Sequence, residues 1–354
     1  MPKAGKVALI AVAVVAVVFC VGSYAADRHV LGMTYTRYTP TTPSLMLTDA
    51  DIAADYPSDA VEFQMNGQTL RGRVYGAGND RGLVVFRHGI YSQHQDYLAL
   101  ITALVDRGWK VFAYDAIGCG ESDGDSVIGF AQSPLDVRAA VAFAFDSGMA
   151  DGLPVALVGH SWGGFGVAGA LDFADVRDRV GACISMSGFD TPDDIIMESA
   201  AASMGPIAAA QKPFIDLIGA LDFGSDAGRS AARAIGSCDV PVLVIHGASD
   251  KTISLNGASI YAERASIGNP NVEYILKDEP GRDGHNSYFY SPESQAYLGE
   301  CANGLAALVD DYDEDVPADA LDAFMRTVDK HRANTADPVL MDEMDGFLAE
   351  ALGR

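Results

Sequence analysis

Short and almost wholly apolar runs recur through the middle of the chain, and a helical stretch follows most of them. The runs are residues 83–86, 110–114, 155–158, 180–186 and 242–245, with a last strand expected at 272–276. The helical stretches between them include residues 96–106 and 134–145. Strands that are apolar on both faces and alternate with helices are typical of a parallel sheet buried between two helical layers. The pattern therefore predicts an α/β protein with a mostly parallel, doubly wound sheet.

Two departures from this alternation predict features around the sheet. Residues 61–65 and 69–75 alternate between apolar and polar positions on either side of Asn66-Gly67, which predicts a β-hairpin ahead of the parallel strands. The regular spacing is later interrupted by a proline-punctuated segment that is rich in alanine and methionine. We predict that this segment, residues 189–238, is a small helical cap inserted between strands 6 and 7.

The N-terminus has the pattern of an export signal or a membrane anchor. Lys3 and Lys6 precede an uncharged apolar run, residues 7–21, which has no amphipathic stripe. Small residues that end at Ala25 offer a cleavage site, whereas a slightly longer run reaches the length of about 20 residues that spans a bilayer. We favour a retained membrane anchor over residues 1–26, with the body of the protein outside the cytoplasm. Cleavage would instead make the protein secreted.

The rest of the composition bears on domain organisation and on partners. Residues 27–57 have no sustained period and are predicted to be a linker, followed by the α/β domain over residues 58–301. Residues 302–354 are predicted to be an acidic helical extension packed on that domain. The formal net charge is −24, and because such a field repels phosphate backbones, it argues against nucleic acid as a partner. The four cysteines beyond the apolar run leave open either disulfides or buried free thiols.

A glycine-rich turn directly follows the apolar run at residues 155–158. The sequence Gly159-His-Ser161-Trp-Gly163 has the form G-x-S-x-G and lies between a buried strand and a helical stretch. A sharp strand-to-helix turn of this kind holds the serine backbone in a strained conformation, and side chains at the two glycines would collide with neighbouring chain. The motif predicts that the Ser161 hydroxyl is a nucleophile. An ordinary glycine-rich turn is the alternative.

A serine hydroxyl becomes a nucleophile when a base takes its proton, and that base needs an acid to orient it. Asp250 lies just beyond the seventh strand, and His285 lies in a glycine-rich loop after the last strand. Loops at strand ends are where such side chains converge, and the chain order Ser161, Asp250, His285 fits this motif. Asp283 and Asp190 compete for the role of the acid. Asp283 is too close in sequence to His285 to reach its ring comfortably, and Asp190 would move the acid one strand earlier.

The oxyanion that forms when a nucleophile attacks a carbonyl needs hydrogen-bond donors. One donor is the backbone N–H of Trp162, the residue that follows the nucleophile. We place the other at the N–H of Ile90, because Gly89 lets the loop after the third strand turn inward. A plain turn at Gly89, with no role in oxyanion binding, is the alternative.

Together these motifs resemble the α/β-hydrolase superfamily, and within it the monoacylglycerol-lipase and serine-aminopeptidase branch. The resemblance covers about residues 61–298 and is carried by His88-Gly89, Asp115-Ala-Ile-Gly118-Cys-Gly120-Glu-Ser122, Gly159-His-Ser-Trp-Gly-Gly164, Gly247-Ala-Ser-Asp250 and Gly284-His285. It implies the α/β-hydrolase fold, a Ser161–Asp250–His285 triad, oxyanion donors at Ile90 and Trp162, and neither a metal nor an organic cofactor. Ile117 stands where the branch commonly has an arginine, which weakens a close subfamily assignment.

The reaction expected of this set is acyl transfer to water through an acyl-enzyme on Ser161, with a small-molecule ester as substrate. The cap is rich in Ile, Met, Ala and Phe, which favours an apolar acyl chain or a small hydrophobic ester, although the same residues would also serve as cap core. One rival is a peptidase or amidase of the same branch, with Asp193, Asp194 and Glu198 holding a free amino terminus. The others are acyl transfer to an alcohol and a non-catalytic binding protein, whose expected sign is a lost triad residue.

Overall fold

Eight strands form a single sheet in the computed structural model, which describes residues 3–40, 44–312 and 315–354. The strands are β1 (Ser58–Met65), β2 (Gln68–Tyr75), β3 (Leu83–Arg87), β4 (Lys110–Tyr114), β5 (Val155–His160), β6 (Ala182–Met186), β7 (Val242–Gly247) and β8 (Val272–Lys277). Their order across the sheet is β1-β2-β4-β3-β5-β6-β7-β8. The β1–β2 and β2–β4 pairs are antiparallel and the others are parallel. The predicted fold class, a mostly parallel doubly wound sheet, is confirmed.

The described part of the chain contains thirteen α-helices, and several of them cover the two faces of this sheet. They are α1 (Lys3–Thr34), α2 (Asp49–Ile52), α3 (Leu98–Asp106), α4 (Gln132–Asp146), α5 (Trp162–Ala170), α6 (Ala174–Arg177), α7 (Pro192–Met204), α8 (Lys212–Phe223), α9 (Ala231–Gly236), α10 (Pro292–Asp311), α11 (Ala318–Met325), α12 (Lys330–Ala333) and α13 (Pro338–Leu352). One apolar core joins α4, α5 and α9 to the sheet, and a second joins α3 and α13 to its other face. Strands β3, β5, β6 and β7 are buried along their whole length, because both of their faces contact helices.

The segment between β6 and β7 is helical and lies beside the carboxyl ends of the strands. It contains α7, α8 and α9, together with short 3-10 helices at Gly205–Ala210 and Gly224–Gly228. Helix α7 begins at Thr191, whose side chain accepts a hydrogen bond from the Asp194 amide. The position of this helical insertion between strands 6 and 7 follows the sequence prediction.

The N-terminal part of the chain differs from the expected linker. Helix α1 continues past the apolar run to Thr34, so that part of residues 27–57 is helical. The later part of the segment packs on the domain, where Leu47 and Ile52 are buried against the α3 face of the sheet. Asp49 forms an ion pair with Arg73 of β2 at 2.7 Å. These contacts tie residues 44–57 to the α/β domain.

The C-terminal helices also lie against the domain. Helix α13 buries Leu340, Met344 and Leu348 in the core of the α3 face. Asp345 on the same helix accepts a hydrogen bond from the Trp109 indole and pairs with Arg81, both at 2.7 Å. The end of the chain is therefore part of the structural core, and removal of α13 would expose that face of the sheet.

Candidate active site

Ser161 lies at the turn between β5 and α5, in a backbone conformation that side chains rarely adopt. Its φ is 57° and its ψ is −118°. The flanking glycines explain how so tight a turn fits: a Cβ on Gly159 would collide with the carbonyl of Gly163, and a Cβ on Gly163 would collide with the carbonyl of Arg87. The local strain is sustained because the surrounding structure fixes the turn. The turn places the Ser161 side chain on the wall of a cavity that has a volume of about 660 Å³.

Asp250 and His285, the predicted acid and base, meet at the ends of β7 and β8. His285 Nδ1 lies 2.7 Å from Asp250 Oδ2. The other carboxylate oxygen accepts hydrogen bonds from the amides of Thr252 and Ile253, at 2.8 and 3.0 Å. Burial alone would raise the pKa of Asp250, but the hydrogen bonds from His285 and the two amides outweigh it and hold that pKa below its usual range. Asp250 therefore stays ionised and orients the imidazole.

The competing acids are engaged elsewhere. Asp190 Oδ1 accepts hydrogen bonds from the Ser230 hydroxyl and the Ala232 amide, at 2.8 and 2.7 Å, where α9 begins. Asp283 accepts a hydrogen bond from the Ser249 hydroxyl at 2.6 Å. Neither carboxylate forms a described hydrogen bond to His285, whereas Asp250 does.

The expected oxyanion donors flank the nucleophile. Trp162 is the first residue of α5, so its N–H points out of the helix N-terminus. In the loop after β3, the Gly89 N–H donates to the Tyr97 hydroxyl at 3.0 Å, which leaves Ile90 as the next amide along the loop. Tyr91 follows with a φ of 52°, a left-handed turn that redirects the loop at the cavity wall. The assignment of Ile90 and Trp162 as oxyanion donors stays a prediction from the sequence.

A buried chain of hydrogen bonds connects the two loops of the site through His160. The Gly89 N–H donates to the Tyr97 oxygen, and His160 Nδ1 lies 2.8 Å from that hydroxyl. On its other side, His160 Nε2 lies 3.1 Å from the carbonyl of His285. Since a carbonyl can only accept, Nε2 carries the proton and Nδ1 accepts from Tyr97. His160 thus holds the loop after β3 and the loop that contains His285 in one arrangement.

The carbonyl of His285 is fixed by a second donor as well. The Ser187 hydroxyl, at the end of β6, donates to it at 2.9 Å. Ser187 also lies 2.8 Å from the hydroxyl of Tyr288, which is buried. The backbone of the base is therefore held from β5 and from β6, while its ring is held by Asp250.

A buried ionic cluster holds the loop after β3 against the end of β4. His94 Nδ1 lies 2.7 Å from Asp115 Oδ1 at the end of β4, and its Nε2 lies 3.3 Å from Asp49. Burial opposes a charge on His94, yet the two carboxylates raise its pKa to about 10. Burial would likewise raise the pKa of Asp115, but His94 lowers it to about 2. The cluster is therefore charged at neutral pH, and it links residues 44–57 to the loop that contains Ile90.

Sequence reasoning did not assign His160, Tyr97, His94 or Asp115 to these roles. The side chain of His160, the residue before Ser161, contacts the Tyr97 hydroxyl and the carbonyl of His285. The periodicity of apolar and polar residues cannot indicate a contact between residues that are 21 or 63 positions apart. The spacing His88–His94–Tyr97 after β3 is a signal that could have suggested a polar cluster in this loop.

The acid assignment gives a direct test. Asp250→Asn is expected to lower ester turnover by roughly a thousandfold or more while leaving a folded protein, because the neutral amide favours the wrong imidazole tautomer. Asp190→Asn is the matched control, since it removes another buried carboxylate, which follows β6 and contacts Ser230 and Ala232. Initial rates with a p-nitrophenyl ester measure both variants. A large loss in Asp190→Asn with none in Asp250→Asn would overturn the assignment.

Comparisons with known proteins agree on the fold. A family model described as serine aminopeptidase, S33, matches residues 78–214. The structure is similar to an esterase of Pyrococcus furiosus, Pf2001, with a TM-score of 0.53 and 19% sequence identity over 77% of this chain and 98% of that one. It is also similar to an α/β hydrolase of Vibrio vulnificus, with a TM-score of 0.54 and 19% identity over 77% and 88% of the two chains. None of the curated proteins matches the sequence significantly.

Proposed function

We propose that this chain, which has the α/β-hydrolase fold, is a serine hydrolase that cleaves carboxylic esters through an acyl-enzyme on Ser161. The observation that carries the proposal is the 2.7 Å contact between His285 and Asp250 at a cavity whose wall also contains Ser161 in its strained turn. A nucleophile, a base and an orienting acid are the groups that acyl transfer needs.

The reaction follows from the roles of these groups. His285 removes the proton of the Ser161 hydroxyl as the oxygen attacks the ester carbonyl, and Asp250 stabilises the imidazolium that forms. The amides of Ile90 and Trp162 stabilise the oxyanion. His285 then gives the proton to the leaving alcohol and later activates a water that releases the acid. Each proton taken by His285 is returned, so the enzyme is regenerated without a cofactor.

The peptidase alternative is favoured by the name of the matching family and opposed by the contacts of the acidic cap residues. Glu198 accepts hydrogen bonds from the Ser254 amide and hydroxyl, at 2.8 Å each, and from the Ala258 amide. The Asp194 carboxylate accepts a hydrogen bond from the Thr191 hydroxyl at 2.5 Å, and Asp193 pairs with Lys212 at 3.2 Å. These carboxylates are engaged within the protein rather than free to hold an amino terminus. Ester cleavage is therefore the better-supported function.

The N-terminal helix supports membrane anchoring as the second part of the proposal. Residues Gly5–Thr34 form one helix long and apolar enough to cross a bilayer, and its apolar window is not buried against the protein. The basic residues before this helix favour a cytoplasmic N-terminus. The α/β domain would then lie outside the cytoplasm.

Labelling and a substrate panel test the catalytic part. The purified protein is expected to react with a fluorophosphonate probe and to hydrolyse p-nitrophenyl esters, with aminoacyl anilides turned over at least about tenfold more slowly, because Asp193, Asp194 and Glu198 are engaged within the protein. The probe adduct should map to Ser161 by peptide mass spectrometry. Cleavage of the anilides without ester turnover would instead establish the peptidase.

A further inference from the structure

The cavity at Ser161 is lined by loops of the domain and by the chain that follows α1. Tyr38 and Met46 of that chain form one side, and the loop after β3 and the residues around His285 form much of the rest. None of the described lining residues comes from the cap, residues 189–238. The apolar composition of the cap therefore does not indicate which groups this cavity accepts.

The described lining of this cavity contains one carboxylate, that of Asp96, and neither a lysine nor an arginine. Both described hydrogen bonds to Asp96, from the Ser92 hydroxyl and the Gln93 amide at 3.0 Å each, go to Oδ2. The other oxygen, Oδ1, has no described partner, and the Asp96 residue is only partly buried. Asp96 therefore offers a negative charge to a group that enters the cavity.

The positive charge of nearby His94 does not offset that of Asp96. His94 is held between Asp115 at 2.7 Å and Asp49 at 3.3 Å, and Asp49 also pairs with Arg73. These four side chains carry two positive and two negative charges, so the cluster has no net charge. The carboxylate of Asp96 is therefore left without a compensating cation at the cavity wall.

Aromatic side chains surround the same space. Those that line the cavity are Tyr38, Tyr91, Tyr97, Phe289 and Tyr290. Burial and the charge of Asp96 raise the pKa of the Tyr38 phenol to about 12, which shows that the two side chains are close. The backbone of Tyr38 is fixed, because its N–H donates to the Gly118 carbonyl at 2.9 Å. A carboxylate beside aromatic rings is a combination that attracts ammonium groups, since the face of each ring is negative.

We propose that the substrate is an ester that carries an ammonium group, and that Asp96 and Tyr38 select it. The inference rests on the proposed function, because it names the substrate class of the same catalytic site. Asp96 supplies the opposite charge, and Tyr38 supplies an aromatic face. A quaternary ammonium group suits the pair, because it has no N–H groups that need acceptors. An ester that carries a carboxylate is disfavoured, because Asp96 repels it.

Pairs of esters that differ in charge but hardly in shape test this selection. One pair is butyrylcholine and its carbon isostere, in which a tert-butyl group replaces the trimethylammonium group of the alcohol. The other pair makes the same replacement in the acyl half, with the p-nitrophenyl ester of γ-trimethylammoniobutyrate as the charged member. The full-length protein should hydrolyse the charged member with at least about tenfold higher kcat/KM in one or both pairs. Salt at about 0.15 M screens long-range attraction by the acidic chain.

Variants at the wall assign the preference to its residues. Asp96→Asn keeps an oxygen that can accept from Ser92 and Gln93 but removes the charge. It should therefore lower the ratio of charged to neutral kcat/KM by at least about fivefold. Tyr38→Leu should lower the same ratio, and Tyr38→Phe should restore most of it, because phenylalanine keeps the aromatic face.

Asp239→Asn is the matched control, since it removes one charge from the same acidic chain. Asp239 is exposed and precedes β7, at the edge of the sheet opposite the site, so the ratio should stay within about twofold of the wild type. Equal falls in Asp239→Asn and Asp96→Asn would overturn the inference, because the preference would then reflect the net charge of −24. A wild-type ratio near one in both pairs would overturn the inference and leave the proposed function intact. Hydrolysis of none of the esters would overturn both.

Discussion

Ser161→Ala is expected to reduce p-nitrophenyl ester turnover by at least about a thousandfold, since the variant keeps the oxyanion donors and the cavity but has no nucleophile. His285→Ala should lose a similar factor, because Ser161 then has no base. The double variant should lose little more turnover than either single variant, because the effects of residues that act as one unit are not additive. Initial rates and fluorophosphonate labelling measure the three variants.

A serine outside the site serves as the control for this experiment. Ser266 is exposed and lies in a loop beyond the short helical turn at Ala262–Ala265, so Ser266→Ala should leave the rate unchanged. Circular dichroism and thermal unfolding establish that Ser161→Ala keeps its fold. A folded Ser161→Ala protein with wild-type turnover would refute the mechanism.

The second large effect is expected in stability, at a buried ion pair beneath the nucleophile. Arg87 and Asp136 are both fully buried, and Arg87 Nη2 lies 3.6 Å from the Asp136 carboxylate. The guanidinium also lies 4.3 Å from the ring centroid of Trp162 and donates to the carbonyl of His88 at 2.7 Å. Asp136→Ala should cost about 3–5 kcal/mol of unfolding free energy, because it leaves a buried charge without its partner.

Thermal and urea unfolding measure this loss of unfolding free energy, and two further variants serve as its controls. Asp178→Ala removes an exposed carboxylate whose pairing with Arg177 is long, 3.8 Å, so its effect should lie within about 0.5 kcal/mol. Replacing both buried partners, Arg87→Met with Asp136→Leu, should restore much of the stability, since apolar residues of similar size remove both charges at once. An Asp136→Ala protein as stable as the wild type would show that the pair is not electrostatically important.

The fold was predictable because its signals are local. Four of the buried strands, β3, β5, β6 and β7, read as short apolar runs, since helices cover both of their faces. The turn at Ser161 and the loop positions of Asp250 and His285 were likewise visible as glycine-rich motifs at strand ends. In these cases the residue types and their neighbours along the chain carry the information.

The contacts that hold the site together were not predictable in the same way. Residues 44–57 show no periodicity of apolar positions, because they pack through single side chains such as Leu47 and through the ion pair of Asp49. The bridge from Tyr97 through His160 to the carbonyl of His285 joins three separate segments, and its chemistry is set by distances that no local pattern encodes. The acidic composition gave no sign of the charged cluster around His94 either.

The buried histidines also make the stability of the protein depend on pH. Burial lowers the pKa of His88 to about 3, lowers that of His160 well below its usual range, and lowers that of His246. As the pH falls below about 6.5, the unfolded chain gains protons at these residues that the native state resists, so stability decreases. His94 acts in the opposite sense: its contribution is complete below about 6.5 and is lost as the pH rises toward 10. The histidines therefore favour the native state most near neutral pH, and an acidic environment would destabilise it.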